Sequence, residues 1–250
     1  MRRCSITAAG TRSLSGSLRT ILTPRRSKGV EILDRPGVDP AVVTRSLADV
    51  KRSNILFGGL NCAIAELREA LKEVPLSATL LDVGSGLGDI PGRARDVAST
   101  EGIDLTTIGL DSALELSLAS RGAIDHAVCA DGLRLPFRDK SVDIVMCSQF
   151  LHHFTGKPAL QILREMDRVA RCRVIVSDLR RSWIAAAGIW LVSFPLRFHA
   201  VSRHDGVVSV LRGFTAEELT DTVRQAVPRA PTVRKRRGFR VTASWSPSPR

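Results

Sequence analysis

The sequence predicts an α/β fold: a mostly parallel sheet with helices on both faces. Three observations carry this. Short apolar runs alternate with helix-period segments between positions 78 and 176, the rhythm of β-α units. A glycine-rich loop, Asp82-Val83-Gly84-Ser85-Gly86-Leu87-Gly88, closes the first run. Polar residues then stand at or near the ends of successive runs: Asp82, Asp111, Asp131, Ser148 with Gln149, and Asp178. In parallel sheets ligands sit beyond the carboxyl ends of the strands, so these residues mark one ligand-binding edge.

The elements follow in order. Residues 1–30 hold seven basic side chains (Arg2, Arg3, Arg12, Arg19, Arg25, Arg26, Lys28) and no acid, and read as a disordered extension. The same Ser-, Thr- and Arg-rich start also resembles an organellar transit peptide. Pro36, Gly37 and Pro40 punctuate a loop, after which Asp39 or Pro40 opens a helix running to Val50. Phe57-Gly58-Gly59 interrupts it. A second helix over 61–73 has Ile64, Leu67 and Leu71 at helical spacing. Strands are expected at Ala78–Val83, Leu105–Leu110, Ile124–Ala130, Val142–Cys147 and Arg173–Val176, with helices at 88–100, Ala113–Ser120 and Pro158–Ala170. The last of these helices shows Leu160, Leu163, Met166 and Val169 on one face. Residues 180–206 are less regular. Thr215 and Glu218 form a capping-box signature for another helix, and Thr232–Arg237 and Phe239–Trp245 read as two closing strands joined at Gly238.

Composition narrows the classes. A chain of 250 residues with 44% hydrophobic content suits one α/β domain with short extensions. It has no tyrosine, which excludes any mechanism needing a tyrosine acid or base, including the tyrosine–lysine chemistry of short-chain dehydrogenases. Five scattered cysteines (Cys4, Cys62, Cys129, Cys147, Cys172) show no zinc spacing. They point to reduced thiols in a cytoplasmic protein and no metal, with Cys129 and Cys147 expected in the core. The net charge is +12, yet without residues 1–30 the chain carries 30 basic against 25 acidic side chains. A second basic cluster, Arg234, Lys235, Arg236, Arg237 and Arg240, reads as a solvated strand face, although such clusters can attract nucleic acid or anionic lipid. The longest apolar run, Trp183–Leu196, spans 14 positions and includes Pro195, too short for an ordinary membrane span.

The glycine loop carries the first chemical signal. Glycine tolerates positive φ and lets a ligand lie on the backbone, and the free N–H groups of the following helix face that ligand. The spacing is Gly-x-Gly-x-Gly. The dinucleotide fingerprint is Gly-x-Gly-x-x-Gly, and here Asp89 stands where its third glycine belongs. A carboxylate there, with Asp82 before the loop, repels a diphosphate and favours a ligand with a cationic end.

With these motifs in order, the chain resembles the class I S-adenosylmethionine-dependent methyltransferases. Asp82 through Gly88 match their first motif, Asp111 in Ile108-Gly109-Leu110-Asp111-Ser112 their second strand end, and Ala130-Asp131-Gly132 their third. Leu133-Arg134-Leu135-Pro136-Phe137, Ser141-Val142-Asp143-Ile144-Val145 and Gln149-Phe150-Leu151-His152-His153-Phe154 are similar to the quinone and small-molecule methyltransferase-like branch. The resemblance implies a Rossmann-like, seven-stranded, mostly parallel sheet with an N-terminal helical extension. It divides the chain into a helical cap (31–75), a cofactor-binding core (76–180), an acceptor-covering insertion (181–212) and a closing helix and strands (213–250).

It also implies S-adenosyl-L-methionine as cofactor, held by Asp82, Gly84, Ser85, Gly86, Gly88, Asp111, Ser112, Asp131, Gly132, Ser148 and Gln149. Asp111 would accept from both ribose hydroxyls and Asp131 from the adenine amino group; both acids also fit helix N-capping. His152 and His153, just after the fourth strand, are the candidate bases, with a packing role as the alternative. The expected reaction is in-line methyl transfer to a small apolar or aromatic acceptor. Residues 183–198 could line an apolar pocket, pack as an ordinary buried helix or touch a membrane shallowly; Arg52, Ser53, Asn54 and Phe57 could cap the cofactor. A nucleic-acid acceptor is disfavoured, because no Asn/Asp-Pro-Pro-aromatic motif and no RNA-binding module is present.

Overall fold

The computed structural model describes residues 23–35 and 37–249. Two helices come first, α1 (Pro40–Leu56) and α2 (Gly59–Leu71). The Asp39 side chain caps α1 by accepting from the Ala41 N–H, and Pro40 fits the first helical position. Then follow β1 (Ser77–Val83), α3 (Asp89–Thr100), β2 (Asp104–Asp111), α4 (Leu114–Ser120), β3 (His126–Cys129), β4 (Val142–Ser148), α5 (Lys157–Val169) and β5 (Ala170–Leu179). The helices α6 (Trp183–Ser193), α7 (Ala200–Arg212) and α8 (Ala216–Ala226) precede β6 (Thr232–Arg236) and β7 (Arg240–Trp245).

The seven strands form one sheet in the order β3-β2-β1-β4-β5-β7-β6. β1 to β5 are parallel, and β7 enters antiparallel between β5 and β6. The order reverses between β1 and β4, so a crevice opens at their carboxyl ends. Period-two alternation divides the core between the two faces. On β4, Val145 and Cys147 join α5, α8 and Phe214 on one face, while Ile144 and Met146 join α2 and α3 on the other.

Several expectations shift. The buried stripe of α5 is Ala159, Ile162, Leu163, Met166 and Val169, with Leu160 only half-buried. β5 is longer than its apolar run, because pairing with β7 extends it through Leu179. β3 is shorter, as an edge strand with one neighbour. Cys129 at its end is exposed rather than in the core, whereas Cys147 is fully buried. The 180–206 region is a helical hairpin. Ser182 caps α6, and the Ser202–Gly206 stretch lies inside α7. In the expected disordered extension, residues 1–22 lie outside the described residues, but 23–30 lie along the domain. Ser27 N–H donates to Leu211 O, and Arg26 reaches Arg212 O, His152 O and Phe154 O while its guanidinium stacks on Phe214.

Most of the C-terminal basic cluster lies on an exposed strand, yet three of its cations pair with acids of this chain. Buried Glu66 of α2 accepts from Arg234 (2.9 Å), Arg236 (3.1 Å) and Thr242 Oγ1, and Lys235 pairs with Glu217. Glu66 therefore ties α2 to the β6–β7 hairpin. Glu66→Ala should destabilise the fold by about 3 kcal/mol, the low end for a broken buried pair because both guanidiniums reach solvent. Urea unfolding monitored by circular dichroism checks this; an unchanged midpoint would contradict it.

Candidate active site

The loop between β1 and α3 is a glycine turn at the switch point. Gly84, Gly86 and Gly88 have φ of +75°, +54° and +74°. The Gly84 and Ser85 N–H groups both donate to Leu110 O, at 2.8 and 3.0 Å, which holds the loop against β2. A Cβ on Gly84 would collide with the Phe150 ring, which also lies against Gly132. Asp111 Oδ2 accepts from Gly86 N at 3.1 Å and Oδ1 from Ala113 N at 3.0 Å. Asp131, exposed, accepts from Leu133 N through Oδ1. Ser112 is exposed beside Asp111.

The residues suit a cationic, hydroxyl-bearing ligand. Asp82 Oδ1, Ser85 Oγ, Asp89 Oδ2 and Ser148 Oγ are buried with no hydrogen-bond partner, a costly state unless a ligand supplies partners. Burial, with Asp89 and Asp111 nearby, pushes the Asp82 carboxyl well above the usual carboxylate range. Burial also raises Asp89. A ligand carrying an ammonium and a sulfonium would stabilise the ionised forms and lower those values. Binding should therefore release protons below the raised Asp82 pKa. Calorimetric heats of S-adenosylmethionine binding should then depend on the ionisation enthalpy of the buffer; identical heats across buffers would contradict this.

Gln149 sits in the next layer. Its φ is +51°, uncommon for a residue with a side chain, and strain of this kind persists only where neighbours enforce it. Its Nε2 donates to Asn54 of α1, and its Oε1 accepts from Arg240 of β7 at 2.8 Å. Asn54 lies near enough to Asp89 to oppose the rise of its pKa. Burial lowers the Arg240 pKa to about 10.

Beyond Gln149 lies a cavity of about 480 Å³ between α1, α6, α7 and the 23–35 strap. Phe57, Ile184, Ile189, Val192 and Phe198 give it apolar walls, and His152 and His153 stand on its polar side. His152 is buried. Its Nδ1 lies 2.7 Å from Asp178 Oδ1, its backbone N–H donates to Asp178 Oδ2 at 3.0 Å, and its Nε2 lies 3.6 Å from Glu31 Oε1. Burial alone would lower its pKa, but Asp178 and then Glu31 overcome this and raise it to about 9. Asp178 and Glu31 are correspondingly held below the usual carboxylate range, their own burial outweighed by His152. His153 is partly exposed and pairs with Asp34 at 3.1 Å.

Glu31, His152 and His153 present donor atoms all within 4.8 Å of one another, close enough for a metal ion to bridge. Arg212 already supplies positive charge there, 3.8 Å from Glu31 and 3.5 Å from Asp34. The glycine-loop residues, Asp111, Gly132 and Ser148 thus stand at or just beyond the carboxyl ends of β1 to β4, and Gln149 lines the chamber with the two histidines.

Sequence reasoning missed Glu31, Asp34 and Arg240. The first two fall in a segment with no periodic signal. Arg240 was grouped with the solvated basic run, although its place inside an apolar closing strand was a usable sign of burial.

Comparisons with known proteins bear on the domain and the fold. Residues 81–176 match the family described as a methyltransferase domain. Over 104 residues the chain is 30% identical to the human protein named "Probable tRNA methyltransferase 9B". That alignment covers 41% of this chain and 21% of the relative, so the chain spans about a fifth of its length. Among solved structures, the plantazolicin methyltransferase BpumL in complex with SAH aligns with a TM-score of 0.62 and 12% identity over 84% of this chain and 92% of that one. A SAM-dependent methyltransferase from Aquifex aeolicus aligns with a TM-score of 0.52 and 16% identity over 79% and 96%. The sheet order and the loop define a Rossmann-like methyl-transfer fold. Residues 81–176 thus carry the methyltransferase-domain match, and the fold is that of the class I S-adenosylmethionine-dependent methyltransferases.

Proposed function

We propose that this chain methylates a small apolar or aromatic acceptor bearing an ionisable nucleophile. The observation that carries this is the apolar chamber beside the glycine loop, with Gln149 on the shared wall and a carboxylate-oriented histidine inside it.

Asp111 is assigned to the ribose, Asp131 to the adenine end, and Asp82, Ser85 and the loop N–H groups to the methionine end, with Gly84, Gly86 and Gly88 giving the backbone room. Ser112, Gly132, Ser148 and Gln149 line the remainder. Bound there, S-adenosylmethionine supplies an electrophilic methyl on a sulfonium leaving group. The chain's part is to position the acceptor and manage its proton. Holding two reactants in line removes several kcal/mol of barrier, on the order of 7–11 in well-oriented cases. Asp178 fixes the His152 ring with Nδ1 inward, which leaves Nε2 to exchange a proton with an acceptor hydroxyl. Glu31 holds that proton's positive charge.

A screen of apolar phenols and carboxylic acids with methyl-labelled cofactor tests the reading: label should enter at least one such acceptor. The human relative's name favours a second reading, an RNA acceptor. Against it stand the pairing of Arg234 and Arg236 with Glu66 and the burial of Arg240. Label entering tRNA, with none in the small acceptors, would overturn the first reading.

A further inference from the structure

We propose that the outer face of α6, with the C-terminal end of α1, docks on an anionic phospholipid bilayer and opens the acceptor chamber to the membrane. The docking stands on the surface alone; the membrane route for the acceptor rests on the reading of the chamber given above.

α6 is apolar around its whole circumference, Trp183 to Ser193, with no charged residue. A helix of that kind is normally buried on all sides. Here α7 covers one side only, through Ala185, Ala186 and Ile189. Trp183, Ile184, Trp190, Leu191 and Phe194 are each 47–59% exposed. Ile55 and Leu56 at the end of α1 are exposed as well. The two elements adjoin: Arg45 of α1 donates to Arg197 O just after α6, and Val50, Ile184 and Val192 line the chamber between them. The apolar face therefore continues into the chamber wall. An apolar face of this breadth marks an interaction surface, and tryptophans at its edge suit the lipid interface.

Charge selects the occupant. Positions 180–204 contain no acidic residue, and the one acid within α1, Asp49, is buried and bonded to His199 N and Ser202. The exposed cations on these elements are Arg45, Lys51, Arg52 and Arg197, with Arg203 stacked 3.8 Å from the Phe194 ring centroid; the acids beside the face, Glu217 and Glu218, lie at its Ile184 end and pair with Lys235 and Arg181. Cations beside an apolar face complement anionic lipid headgroups above acyl chains. A second copy of the chain would have to bring the same cations together. No helix among the described residues is long and apolar enough to cross a membrane, so the face lies on the surface.

Vesicle binding tests this without any acceptor. Of the three tryptophans, Trp183 and Trp190 lie on the face and Trp245 is buried. Phosphatidylcholine vesicles containing phosphatidylglycerol should shift tryptophan emission to the blue and, with brominated acyl chains, quench it. Pure phosphatidylcholine should bind more weakly. The double variant Trp190→Ser/Leu191→Ser should lose about tenfold or more of the vesicle affinity and keep its S-adenosylhomocysteine binding, which reports an intact fold. Arg45→Glu should reduce the preference for anionic vesicles. Failure of the folded protein to bind anionic vesicles would overturn the proposal. So would sedimentation showing a wild-type dimer that the double variant converts to monomer. Vesicle binding without methylation of any apolar acceptor would overturn the reading of the chamber and leave the docking standing.

Discussion

His152→Gln should lower turnover by about 10²–10⁴-fold, the usual contribution of a positioned proton-transfer group, while leaving S-adenosylhomocysteine affinity within a few-fold. The reason is spatial. His152 stands in the proposed acceptor chamber with Gln149, bonded to Asp178 and facing Glu31. Glutamine keeps a polar side chain there but cannot take up a proton. A tenfold loss of cofactor affinity with unchanged turnover would assign His152 to structure instead.

The pH profile gives the sign. With its pKa raised to about 9, His152 is charged at neutral pH and becomes a base only as the pH climbs. In the wild type, kcat/KM should therefore rise between pH 7 and 9 and level off above, and in His152→Gln this rise should vanish. Asp178→Asn should move the inflection down, because Asp178 is a positioning residue whose charge is the largest influence raising that pKa. Folding stability runs the other way. A histidine with a raised folded pKa stabilises fully below its unfolded value, about 6.5, and loses that contribution as pH rises through about 9. A circular dichroism control at each pH separates the two effects.

Asp111→Ala should weaken S-adenosylhomocysteine binding by about 10²–10³-fold. Two hydrogen bonds to a charged acceptor are worth roughly 1.5–3 kcal/mol each, and part of that is offset by the water that replaces them. Asp111 also holds Gly86 N, so alanine loosens the loop as well as removing the acceptor. Asp111→Asn should fall between the two, since the amide retains one accepting oxygen. Isothermal titration measures all three; wild-type affinity in Asp111→Ala would remove the ribose assignment. NAD should bind none of them.

The cofactor side of the molecule was readable because it is local. Strand, loop and helix follow one another from Ser77 to Thr100, and period-two and glycine signals act over a few residues. The place of Asp111 and Asp131 was readable because a parallel sheet brings every strand end to one edge. The acceptor side was not. α6 has no polar face and so no period to place it, and α7 shows only a weak one. Glu31 and Asp34 meet His152 and His153 across more than 115 positions of chain, and no local pattern encodes such a meeting. The basic run at 234–237 was legible as an exposed strand face, but its pairing was not, because charge in sequence does not show its partner. Glu66, which neutralises two of its members, lies on α2, far away in the chain.

The two halves of the crevice are also built to different plans of inheritance. Every residue assigned to the cofactor comes from one unbroken stretch between Asp82 and Gln149. The proposed acceptor chamber takes most of its wall from the strap, α1, α6 and α7, which flank that stretch on both sides. A lineage could therefore exchange the flanks and acquire a new acceptor while the donor half stayed unaltered. Such a design leaves specificity free to drift at the margins of a fixed chemical engine.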